Sequence, residues 1–204
     1  MDPVLTSAFA LVCGQHAAHT WTPGGLALPC CQRCTGLYVG ALGALLLHAV
    51  CKPPPTARWQ WLHGMFLLQM VPFGFHWLPQ GPVLRTETGV LFGFGLVAFL
   101  WPLAANLVAQ ICNPFDSSPA CGLPIRAPAD WKSALRHRRA GYVFGLAATL
   151  VFIPVAAMVG GQFGFLLLSW LAALGALGLA GLVLLNVASL GSGGVRPSER
   201  RVPA

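Results

Sequence analysis

The sequence predicts an all-α protein: a polytopic transmembrane helical bundle of about five spans, N-terminus outside and C-terminus cytoplasmic. Three observations lead there. Hydrophobic residues make up 56% of the 204 and charged residues only 8%, where an ordinary soluble domain carries about 25% charged. The mean hydropathy of +0.69 is more apolar surface than so short a chain hides in one core, so lipid must solvate part of it. Apolar runs of membrane-crossing length also alternate with segments in which basic residues collect.

Taken in order, residues 1–34 form an outer-face segment rich in cysteine and histidine. Within it, residues 3–12 are apolar but too few to cross, which predicts an interfacial or re-entrant helix. No basic residue precedes that run, unlike a secretory signal, so no cleavage is expected. The transmembrane bundle is expected over 35–190. Its first span covers about 35–51. The second, about 61–78, is the most polar, because it contains His63, Gln69, Pro72 and His76. The third, about 89–111, has Pro102 as its expected kink, and the fourth, about 140–160, has Pro154. The fifth, about 163–190, is long enough to tilt. Between the third and fourth lies a basic cytoplasmic loop, 112–139. Its end, ADWKSALRHRRA, reads as a short helix capped by Asp130, with Trp131 at the interface. That cluster suits a topology anchor on anionic headgroups or a docking surface. A Gly/Ser/Arg-rich tail, 191–204, is expected to be disordered.

Charge orients the bundle. Ten of the twelve basic residues fall on segments that an N-out chain places in the cytoplasm, leaving Arg33 and Arg85 outside. A formal charge of +7 distributed this way reports topology, and no nucleic-acid motif accompanies it. The span interiors carry no charged residue, which argues against an ion-coupled transporter. Glycines recur at packing intervals, as in Gly36/Gly40, Gly89/Gly93, Gly141/Gly145 and Gly175/Gly178/Gly181. Such spacing predicts close helix contacts, and it leaves open a homo-oligomer or a place in a larger membrane complex.

The chemistry concentrates in CGQHAAHTW and LPCCQRCTG, which the topology puts outside. Three readings stand. Cys13, His16, Cys31 and Cys34 form two ligand pairs, Cys-x-x-His and Cys-x-x-Cys, across a loop of a length that can close a shell on zinc or another transition metal. His19 and His76 are alternative ligands. Cys31 and Cys34 also read as a redox-active pair at a helix start, as in a membrane thiol–disulfide oxidoreductase. A structural disulfide is the third, and Cys30 is the spare thiol. At the cytoplasmic side, His48 and His63 are placed to face each other. Hydrogen bonding within the bundle is expected of them rather than haem ligation.

These stretches, with the later LRTETGVLFG, resemble an uncharacterised family of prokaryotic polytopic membrane proteins, a domain of unknown function with a Cys-x-Arg-Cys-Thr-Gly signature. The resemblance covers roughly 11–93. It rests on Cys13, Gln15, Thr20, Pro29, Cys31, Arg33, Cys34, Thr35, Gly36, Arg85, Thr88 and Gly89. It implies a multi-pass protein of a prokaryotic plasma membrane and supplies no activity. The chain departs from the family's pattern at Gly14, where histidine is usual, and at His19, where arginine is usual; His76 falls near the family's aspartate. Because Arg33 and Arg85 precede the first and third spans at one membrane depth, they are expected to flank the Cys/His site, binding an anion or steadying thiolates. The alternative is that both snorkel to the headgroups.

Overall fold

The structure, a computed structural model, describes residues 3–51, 56–75, 77–112 and 131–191. Every regular element among them is helical: α1 (Pro3–Ala10), α2 (Gln32–Cys51), α3 (Ala57–Leu68), α4 (Met70–Gly74), α5 (Pro82–Cys112), α6 (Trp131–Val159) and α7 (Gly161–Gly191). Two 3-10 turns, Ala17–His19 and Pro23–Gly25, lie between α1 and α2. Lys52, His76, Asp130, residues 113–130 of the basic loop and the tail from 192 onward lie outside the described residues. The helical membrane bundle expected from composition is the architecture found. Four helices, α2, α5, α6 and α7, are long and apolar enough to cross a bilayer.

The bundle is organised around α2. Gly36 lies against the Thr86 carbonyl and Gly89 against the Arg33 carbonyl, each so closely that a Cβ would overlap the oxygen. Gly93 meets Leu37 in the same way, and Gly40 meets Val90. Small residues at such crossings let backbones approach and gain dispersion contact where lipid offers no hydrophobic drive. Because 33 pairs with 89 and 37 with 93, α2 and α5 run parallel. Gly175 against the Tyr38 carbonyl and Gly178 against Leu45 place α7 parallel to both, while Gly145 on Leu47 and Gly141 beside Cys51 make α6 antiparallel. Of the spanning windows, 44% is buried in α2 and in α5 but 22% in α6 and in α7, so the last two present most of their surface to lipid.

Parallel packing of α2 and α5 requires the chain to return between them. The segment expected as one continuous second span is instead α3 and α4, of 12 and 5 residues, meeting at Gln69. Pro72 has no N–H to give the Leu68 carbonyl, and its ring crowds that oxygen. Gln69 turns its amide to neighbouring backbone, donating from Nε2 to the carbonyls of Thr88 (2.9 Å) and Phe66 (3.0 Å). Neither piece counts among the four spanning helices. Together they still travel the bundle's height, from His63 beside Gly95 to the Phe73 carbonyl beside Arg33. Three further boundaries differ from expectation. α5 starts at Pro82 rather than 89 and so takes in Arg85. α2 starts at Gln32 and so takes in Cys34, and the short helix expected in the basic loop forms the first turns of α6.

One end of the bundle therefore gathers the N-termini of α2, α5 and α7 with Arg33 and Arg85. The other gathers Arg58, Arg138 and Arg139 near the N-termini of α3 and α6. At that second end His63 donates from Nδ1 to the Trp59 carbonyl (2.8 Å) and accepts at Nε2 from the Tyr142 hydroxyl (2.9 Å). His48 donates from Nδ1 to the Ala44 carbonyl (2.8 Å), its ring centre 6.5 Å from that of His63. Both imidazoles thus serve hydrogen bonds inside a buried layer with Tyr142 and Phe94.

Candidate metal centre

The site is built by folding α1 and the loop after it over the start of α2. α1 docks through Phe9, whose ring centre is 5.4 Å from that of Tyr38. The helix ends as the amides of Val12 and Cys13 both bond the Phe9 carbonyl. Gln15 then takes a left-handed backbone conformation (φ 46°), unusual for a residue with a Cβ. Its side chain explains what holds it there. Nε2 donates to the carbonyls of Thr6 and Pro29, both at 2.7 Å, tying α1 to the loop that enters α2. Farther along, the Trp21 indole donates to the Thr86 hydroxyl on α5 (2.9 Å).

Cys31 sits at the cap of α2, its carbonyl accepting the Thr35 amide at 2.8 Å, and Cys34 lies in the first turn. The Cys31 amide, one of the donors a helix start leaves free, points to Cys13 Sγ at 3.3 Å. The sulfurs of Cys13, Cys31 and Cys34 all lie within 4.8 Å of one another. Cys13 is buried while Cys31 and Cys34 are half-buried. Hydrogen bonds from the thiols of Cys31 and then Cys34, joined by the backbone amides of Cys31 and Gln15, outweigh burial and lower the Cys13 pKa to about 2. Cys30 behaves otherwise. It is 1% exposed, lies 3.4 Å from the Thr35 hydroxyl, and burial pushes its thiol up to about 12.

A cavity of about 230 Å³ opens beside the sulfurs, and His16, His19, Arg33 and Arg85 line it along with all three cysteines. His16 is exposed and His19 half-buried, and neither ring joins the 4.8 Å group. The structure thus clusters three of the four ligands read from spacing and sets both imidazoles on the wall beside them. The two arginines are held from behind. Arg33 Nη2 donates to the Phe73 carbonyl (2.9 Å) and Gln80 Oε1 (2.8 Å), while Arg85 Nε donates to the Gln80 carbonyl (3.2 Å). Gln80 Nε2 completes the knot on the Phe73 carbonyl at 2.7 Å. Neither arginine pairs with a carboxylate among the described residues, and Arg33 Nε is buried with no hydrogen-bond partner.

With this geometry in view, the comparisons with known proteins fall into place. A family model described as "Predicted membrane protein (DUF2085)" matches residues 13–99. An "Uncharacterized protein" of Methanothermobacter thermautotrophicus is 30% identical over 107 residues, which are 50% of this chain and 96% of the archaeal protein. The chain belongs to this membrane-protein family. It is a multi-pass membrane protein of a prokaryotic family, as its composition and its resemblance both implied. The DUF2085 match opens at Cys13 and takes in Cys31, Cys34, Arg33, Gln80 and Arg85, so all of the cavity wall but Val12 lies inside it. No solved structure matches the chain.

Gln80 and Trp21 are the site residues that sequence reasoning missed. Gln80 sits in a Pro-Gln-Gly turn with no motif to mark it. Its role follows only from the return of α3–α4 to the site end. Gln15 was legible as part of the family resemblance, but its double bond to Thr6 and Pro29 was not.

Proposed function

We propose that this protein is a membrane metalloprotein in which Cys13, Cys31 and Cys34 hold a zinc-like ion at the outer face of the bundle. The observation that carries the reading is the convergence of three sulfurs from two separate segments within 4.8 Å. Tetrahedral sulfurs at about 2.3 Å from zinc are about 3.8 Å apart, so the cluster needs only a small contraction to close. Three soft donors suit zinc or another thiophilic transition metal and disfavour hard oxygen-seeking ions. His16 and His19 stand on the cavity wall outside the sulfur group, so the three sulfurs leave the fourth position of the ion open toward the cavity. The bound ion would clamp the α1 segment to α2, and the open side of the cluster faces the cavity. Five crossings with the N-terminus outside fit the same picture. Two described arginines lie at the site end, and Arg58, Arg138 and Arg139 at the other.

The test is metal content per chain in detergent-purified protein, with free thiols counted before and after chelation. One equivalent is expected for the native chain and for Cys30→Ala, and its loss in Cys13→Ser and Cys34→Ser. A metal-free protein whose Cys31–Cys34 disulfide cycles with quinone overturns the metal reading in favour of thiol–disulfide exchange, with Cys13 as the third thiol. A permanent, unreactive bridge overturns both.

A further inference from the structure

The cavity beside the sulfurs has a charge that the cysteines alone do not explain. Two guanidiniums, which stay protonated at any ordinary pH, line a space of about 230 Å³ with no carboxylate partner among the described residues. Glu87, on the same helix as Arg85, makes no ion pair with either. Their protein hydrogen bonds are placed so as to leave donors over. Arg33 spends Nη2 on Phe73 and Gln80, and Arg85 spends Nε on Gln80. Nη1 of Arg33 and both terminal nitrogens of Arg85 have no protein partner among the described residues. Gln80 holds the two forks in register, which is how a site is pre-organised rather than how two headgroup-seeking side chains behave.

The electrostatics point the same way. A divalent ion on three thiolates carries one net negative charge, and two arginines exceed it. The cavity is positive with the metal bound, and three protein ligands leave a tetrahedral ion one position short. Resting on the metal reading above, we infer that Arg33 and Arg85 make this cavity a receptor for a small oxyanion that takes the remaining position on the ion. The volume is below that of a drug-sized pocket, which suits a phosphate, sulfate or short carboxylate, and guanidinium forks match such oxygens in pairs. Because the cavity lies at the membrane surface, the phosphate of a lipid headgroup offers the same chemistry.

The experiment uses the full chain loaded with cobalt(II) in an uncharged, phosphate-free detergent, at ionic strength held constant with chloride. Visible cobalt bands are followed while phosphate, sulfate or acetate is titrated, and separately while phosphatidylglycerol is added. A saturable band shift with at least one of these is expected. Arg85→Gln should weaken it about tenfold or more, as loss of a charged hydrogen-bond partner implies, with cobalt stoichiometry unchanged. Arg85→Lys, which keeps the charge and loses the fork, should fall between. A shift with phosphatidylglycerol alone identifies the headgroup as the source, and a shift with the free salts identifies a soluble anion. Full cobalt loading with no shift from any probe overturns the anion receptor and leaves the metal reading standing, as does Arg85→Gln behaving like the native chain. If Arg85→Gln loads no cobalt, Arg85→Lys decides by the same criterion. A native chain that binds no cobalt removes both readings together.

Discussion

Replacing Gln15 by alanine tests whether the site is assembled by the strap over α2 or merely decorated by it. Gln15 Nε2 makes two hydrogen bonds of 2.7 Å, to Thr6 on α1 and to Pro29 just before the cysteine turn. Each such bond contributes about 0.5–1.5 kcal/mol net, so the pair holds the strap down by about 1–3 kcal/mol. Cys13 reaches the other sulfurs only when the strap is docked. Loss of that energy should raise the metal dissociation constant by about 5- to 150-fold. Gln15→Gly separates two contributions, since it loses the same bonds but sheds the left-handed backbone penalty of about 1 kcal/mol at φ 46°. It should lie between the native chain and the alanine variant. Competition against a chromophoric chelator reads all three, and alkylation of Cys13 reports strap opening independently. A native dissociation constant in Gln15→Ala, with Cys13 no more reactive than before, refutes the argument.

Two more outcomes follow. Cys13 has its pKa depressed in the fold, so its stabilisation is complete above the unfolded thiol value of about 8.5 and diminishes as pH falls toward the folded value of about 2. The melting temperature of metal-free protein should therefore fall between pH 8.5 and pH 5, with a shallower slope in Cys13→Ser; equal slopes contradict the assignment. At the helix contact, Gly89→Leu drives a side chain into the Arg33 carbonyl and should cost about 1–3 kcal/mol or more. Gly181→Leu, where a Cβ meets nothing within 4 Å, should leave the detergent melting curve unchanged.

What was readable from the chain alone is what local chemistry determines. Cys31 and Cys34 share one helical turn, so their proximity is written in their spacing, and the membrane-crossing runs announce themselves by length. Gly36 and Gly89 are legible as contact points because only small residues allow such approach in lipid. The rest depends on tertiary placement. The interruption of the second span was foreshadowed by Gln69 and Pro72. Nothing in a one-dimensional pattern shows that Gln69 has a backbone carbonyl of α5 to bond. His16 matched the ligand spacing, yet the left-handed turn at Gln15 and the tether to Pro29 fix where that loop runs, and its ring ends on the cavity wall. Gln80 is invisible for the same reason, because its arginine partners are 47 and 5 residues away and meet only through the return of α3 and α4.

The parallel pairing of α2 and α5 also sets a timetable for biogenesis. The cysteines leave the ribosome well before Gln80 and Arg85, and the wall that will face them does not exist until α5 has been threaded. During that interval the thiols are a nascent chain's most exposed chemistry, open to oxidants and to adventitious metals. Every residue lining the finished wall precedes α6, but the loop that carries Cys13 also packs at Gly24 on the Gly161–Gln162 backbone, so the strap gains its last support only when α7 is made. Arresting translation after α5 and probing the thiols would show the site closing as a discrete event in synthesis.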